Sequence, residues 1–109
     1  MNSDTLIMKL RELLVLLMQS RTLGDKSADA LRYCREHIQE KEIPMNCYGE
    51  YREIMDHLHE LADQNNHFAP DDLLRSGGDL LLGILLLYER LAGEVAVSQY
   101  MAQHGAHYY

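Results

Sequence analysis

The chain has no tryptophan, one phenylalanine, two prolines and two cysteines among its 109 residues. Two cysteines cannot build the disulfide framework of a small secreted domain, so Cys34 and Cys47 are expected to be reduced thiols. The longest apolar run, Leu80 to Tyr88, is interrupted by Gly83 and falls well short of the roughly 20 residues that a membrane-spanning helix needs. Basic charge is also scarce, with 10 Lys and Arg against 17 Asp and Glu and a net charge of −7. That balance repels phosphate backbones and anionic lipid, which argues against nucleic-acid and membrane partners. The opening Met1-Asn2-Ser3-Asp4 carries an early acid where a signal peptide has basic residues, so a cytoplasmic protein is expected.

What is present is helical periodicity. Hydrophobic residues make up 47% of the chain, and their spacing predicts an all-α, single-domain bundle of four main helices plus a short helical turn. The first helix, about residues 4 to 20, carries Leu6, Ile7, Leu10, Leu13, Leu14, Leu17 and Met18 on one face. Met8, Val15 and Leu16 widen that stripe, as in a helix covered on more than one side. Gly24 reads as a turn and Ser27 as the N-cap of a second, peripheral helix with Ala28, Leu31, Cys34 and Ile38 inward. Pro44 ends it.

Asn46 is the expected N-cap of the third helix, whose inner face is Tyr48, Tyr51, Ile54, Met55, Leu58, Leu61 and Ala62. Asn65-Asn66 suits a C-cap, Pro70 opens a single turn near 71–75, and Ser76-Gly77-Gly78 reads as a break. Asp79 then caps a last helix, about 79–102, so apolar from Leu80 to Leu87 that it is expected to be central and surrounded. The bundle domain is expected to span 1–103, with a loosely ordered tail at 104–109.

None of these segments has the spacing of a phosphate loop, a zinc ribbon or a nucleophile elbow. No cofactor and no metal are expected. Glu53, His57 and Glu60 share one face of the third helix, but the inner faces of the other helices offer no matching ligands. A solvated acidic face is the simpler reading. His104 and His107 are too few to hold an ion by themselves. Cys34 reads as a buried hydrophobe, whereas Cys47, at a helix start, is the thiol whose pKa the helix dipole would lower.

Two Arg-x4-His pairs, Arg32 with His37 and Arg52 with His57, resemble the Arg-x(4 to 6)-His signature of HEPN-type ribonucleases. That resemblance implies RNA cleavage by an Arg and a His across a dimer interface, with Arg52 and His57 as the catalytic pair. It is the alternative expectation.

The leading expectation comes from where the charge lies. Residues 51–75 hold two basic and six acidic residues, which locates the negative charge on the third helix and the loop after it. The patch comprises Glu50, Glu53, Asp56, Glu60, Asp63, Asp71 and Asp72, with Tyr48 and Tyr51 beside it. Carboxylates steer encounters with a basic surface and aromatic rings anchor them. In size, charge and helicity the chain resembles the small acidic inhibitors that bacteria and phages use against nucleases and defence complexes. The expectation is thus a non-enzymatic module of inhibitor, immunity or adaptor type that binds a basic protein surface through Tyr48, Glu50, Tyr51, Glu53, Asp56, Glu60 and Asp63. The third alternative is a structural homo-oligomer, a homodimer being its simplest form, assembled through surplus apolar surface on the first and last helices.

Overall fold

The computed structural model describes residues 3–63 and 69–104. Among them the chain is all α: α1 (Ser3–Leu17), α2 (Leu23–His37), α3 (Tyr48–Ala62) and α4 (Pro70–His104), with single 3₁₀ turns at Glu40–Glu42 and Met45–Cys47. No strand occurs among the described residues. The helices close into a ring in which α1 packs on α2 and α4, and α3 packs on α2 and α4. No helix among the described residues is long and apolar enough to cross a membrane.

One core fills the ring. Leu6, Leu10, Leu13 and Leu17 of α1 meet Leu31 and Cys34 of α2, Ile54, Leu58 and Leu61 of α3, and Leu80, Ile84, Leu87 and Leu91 of α4. Each set recurs at the three- and four-residue spacing of one helix face.

The helix ends differ from the expected ones for local reasons. α1 stops at Leu17, where Met18 N–H bonds back to Leu14 and Val15. α2 begins at Leu23 because the Thr22 hydroxyl accepts the Asp25 N–H at 3.2 Å and so caps the first turn. Gly24 therefore lies inside α2. Ser27, the expected cap, is fully buried in the helix and its hydroxyl has no hydrogen-bond partner among the described residues. Asn46 does not cap α3; its amide donates to Glu94 of α4 at 2.8 Å, and a 3₁₀ turn leads into Tyr48. The expected cap at Asn65-Asn66 and the expected tail lie outside the described residues, apart from the backbone of His104, the last residue of α4.

The long connection between α2 and α3 is tied down by a reach across to α1. Lys9 Nζ donates to both carboxylate oxygens of Glu42, at 2.8 and 3.1 Å, while Glu42 also accepts the Gln39 N–H. This clamp holds the first 3₁₀ turn against α1 and lets Ile43 enter the core.

α4 is the largest departure. Its 35 residues run unbroken through Ser76-Gly77-Gly78-Asp79, and the turn expected at 71–75 is simply its beginning. Two interior glycines weaken a helix by about 1 kcal/mol each relative to alanine. Burial of Leu80, with Leu73 and Leu81 packed on the core beside it, offsets that loss. Gly77 has a positive role as well, since a Cβ there would stand 3.3 Å from Leu23 Cδ2, where α4 passes close to α2.

Nor is α4 surrounded. Its inner stripe is sealed, but Leu82, Leu85 and Leu86 on the other side are 54%, 44% and 56% exposed. Met8 and Val15 of α1 are open too, so α1 is covered on one side only. At about 1.5 Å per residue α4 is roughly 52 Å long, more than twice any other helix. It accounts for the 59 Å long axis of the molecule.

Candidate partner-binding site

α3 divides its charged residues between two sides. Seen down the helix, Glu53, Asp56 and Glu60 form an outer ridge, all three exposed, and Asp63 continues it at the C-cap. Toward α4 the ridge descends into a groove of about 560 Å³ between the two helices. Glu50, Glu53 and His57 of α3 form one wall, Asp79, Leu86 and Arg90 of α4 the other, and Ile54, Leu80 and Gly83 lie between them. A Cβ on Gly83 would stand 3.8 Å from Ile54 Cγ1, so the glycine keeps the floor of the groove low.

Arg90 closes one end of the groove. Its guanidinium is ion-paired with Glu50 and lies 3.9 Å from Glu94, which in turn accepts from Asn46. Glu50 is thereby committed to an internal pair. Glu53 and Asp79 are the exposed carboxylates left on the groove walls, and they stand on opposite sides of an apolar floor. Asp71 and Asp72 stand apart from this site, in the first turn of α4, where they oppose the positive end of the helix dipole. Asp72 lies 3.6 Å from Arg75.

The tyrosines do not flank the ridge. Tyr51 is 5% exposed and points into the core, so it cannot serve as a surface anchor. Its periodicity already put it on the inner face, and that signal outweighs its adjacency to Glu50 in sequence. Tyr48 is half-buried on the α2 side of α3, in a hollow shared with Glu40, and the Arg52 guanidinium lies 5.7 Å from its ring centroid. The Glu40 carboxylate and partial burial hold its proton more firmly than usual.

The Arg-x4-His pairs are not brought together as sites. Arg52 opens on the α2–α3 side, in a smaller hollow shared with Arg35, Asp56 and His59, while His57 lines the α3–α4 groove on the other flank of the helix. A five-residue offset turns a helix by about 140°, which is the cause. In the other pair Arg32 is bound to Asp29 and His37 lies against Tyr33, with ring centroids 4.7 Å apart and the planes tilted by 40°.

Among the described residues no group of three His, Cys, Asp or Glu side chains could hold a metal ion. Cys34 and Cys47 are free and fully buried. Cys47 does stand at the start of α3, yet burial pushes its thiol pKa up rather than down. The nearby Arg90 favours the thiolate, but not enough to overcome desolvation.

Asp79 and Arg90 were not foreseen as part of this site. The sequence held one usable signal, because Arg90 is the sole Lys or Arg between 76 and 109 and lies four residues before Glu94. Comparison with known proteins adds nothing to the geometry: no protein family, no curated protein and no solved structure matches this chain.

Proposed function

We propose that the protein is a small protein-binding module that docks its acidic α3 ridge, and the groove beside it, on a basic surface of another protein. The observation that carries this reading is that Glu53 of α3 and Asp79 of α4 line one groove together with the apolar Ile54, Leu80 and Leu86. Carboxylates on a rim speed and orient encounters with a cationic partner, and an apolar floor supplies the burial that keeps an inserted side chain in place. A partner helix or loop bearing Arg or Lys next to an aliphatic or aromatic residue fits both parts. Arg is the better match, because its flat guanidinium can span two facing carboxylates while its stem lies on leucine. The inhibitor, immunity or adaptor role follows from such docking without any catalytic step.

The test begins with affinity capture from the native cell, run in parallel with wild-type protein and with the triple variant Glu53→Lys, Asp56→Lys, Glu60→Lys. A partner retained by the first and lost by the second, whose affinity for the wild type falls steeply with salt, supports the reading. A partner that binds both proteins equally, with the same salt dependence, overturns it.

A further inference from the structure

α4 carries two apolar stripes on opposite sides. The inner one, Leu80, Ile84, Leu87 and Leu91, is sealed in the core. The outer one is centred on Leu82, with Leu85 and Leu86 beside it, and all three are about half exposed. A soluble helix rarely shows three adjacent leucines to water on the face opposite its core, and contiguous patches of this kind mark contact surfaces.

The charges on that face specify what covers it. At 3.6 residues per turn, Arg75 and Glu89 fall within about 20° of the line through Leu82. They lie seven residues before it and seven after it, and they have opposite signs. We infer that a second copy of this chain packs antiparallel on the outer face of α4, with the two Leu82 side chains meeting on the two-fold axis. In that register Arg75 of each copy meets Glu89 of the other, giving two symmetric ion pairs around a leucine centre. Leu85 of each copy lies over Gly78 of the other; Gly78 is exposed and a Cβ there would have open space around it, so the second backbone can come close. A parallel pairing would set Arg75 on Arg75 and Glu89 on Glu89, which like-charge repulsion disfavours. The face is isologous, as a two-fold dimer requires. It uses the outer side of α4 and does not depend on the reading of the α3–α4 groove, with which it shares Leu86 and Asp79 at the edge.

Light scattering on the purified chain gives a dimer whose population rises with concentration. Leu82→Lys leaves the helical circular dichroism unchanged and yields monomer. Arg75→Glu and Glu89→Arg each weaken the dimer about tenfold, and the double exchange restores it, about 1.4 kcal/mol being gained and lost. Orientation is read by mild oxidation of single-cysteine variants, since Cys34 and Cys47 are buried. Leu82→Cys crosslinks to itself, Arg75→Cys does not, and Arg75→Cys mixed with Glu89→Cys gives the mixed crosslink. A monomer at every concentration up to about 1 mM overturns the inference. So does self-crosslinking of Arg75→Cys, a dimer indifferent to both charge reversals, or a stripe found covered by a different protein.

Discussion

The Tyr51 side chain on α3 faces the Cys34 thiol on α2 inside the core. Both groups are shut away from water. Burial drives the Cys34 thiol up to about 11, with the Tyr51 hydroxyl easing that only slightly, and it drives Tyr51 upward as well. A thiolate is the reactive form, so this cysteine is chemically silent at neutral pH.

Thiol labelling follows from that burial. In the native protein at pH 8, neither Cys34 nor Cys47 should react with a disulfide reagent on the time scale at which both react in urea. Rapid native labelling of Cys47 would contradict its burial. Tyr51→Phe, which removes the hydroxyl beside Cys34 and keeps the buried ring, should leave both thiols equally slow to label.

The same pair sets an alkaline limit on stability. A thiol in the unfolded chain ionises near pH 8.5 to 9, whereas folded Cys34 holds its proton to about 11. The folded value is the higher one, so its contribution is complete below about pH 8.5 and is lost as the pH climbs to 11. The loss is roughly 2 to 3 kcal/mol. Urea midpoints measured between pH 8 and 11 should fall for the wild type and fall less for Cys34→Ala.

Much of the core was legible because burial follows a 3.6-residue period: Leu10, Leu13, Leu31 and Leu58 were readable as inward positions, whereas nothing in the unbroken apolar run of α4 separated the inward Ile84 and Leu87 from the exposed Leu82, Leu85 and Leu86. Helix boundaries were less so, since capping is decided by one hydrogen bond. Thr22 and Ser27 are chemically alike, and only the folded backbone brings the Asp25 N–H to Thr22. The continuity of α4 through Gly77-Gly78 was hidden because the compensating contact, Gly77 against Leu23, is remote in sequence. The acidic ridge was visible as charge density on residues 51–75. Its groove was not, because Asp79 and Arg90 reach it from α4.

Ser27 offers a stabilising substitution. Its hydroxyl is buried without a partner among the described residues, and serine is a weaker helix former than alanine. Ser27→Ala should raise stability by about 1 kcal/mol, seen as a higher urea midpoint at unchanged slope. A loss on that change would show that the hydroxyl is satisfied in solution.

The Lys9–Glu42 clamp predicts an acid limit. The Lys9 ammonium and the Gln39 N–H hold the Glu42 carboxyl below the usual carboxylate range, and its side chain is only 7% exposed. Its folded pKa is lower than its unfolded one near 4.3, so the stabilisation is complete above the unfolded value and disappears as pH falls through the folded one. Glu42→Gln should therefore cost about 1 to 2 kcal/mol at pH 7. The difference between the two proteins should shrink toward zero below about pH 4, which thermal melts across pH 3 to 7 would reveal.

The glycines of α4 separate a packing effect from a helix effect. None of the described glycines has a positive φ, so alanine fits the backbone at both Gly77 and Gly83. At Gly83 the added methyl meets Ile54 Cγ1 at 3.8 Å, an ordinary contact, so Gly83→Ala should gain about 1 kcal/mol from helix propensity and burial. At Gly77 the methyl would stand 3.3 Å from Leu23 Cδ2, and pushing that side chain aside consumes part of the same gain. Gly83→Ala should thus stabilise more than Gly77→Ala in urea titrations. It should also weaken capture of a basic partner, because the methyl raises the floor of the groove between Glu53 and Asp79. A Gly83→Ala variant that is more stable yet binds its partner as tightly as the wild type would show that the partner stays on the ridge and never enters the groove.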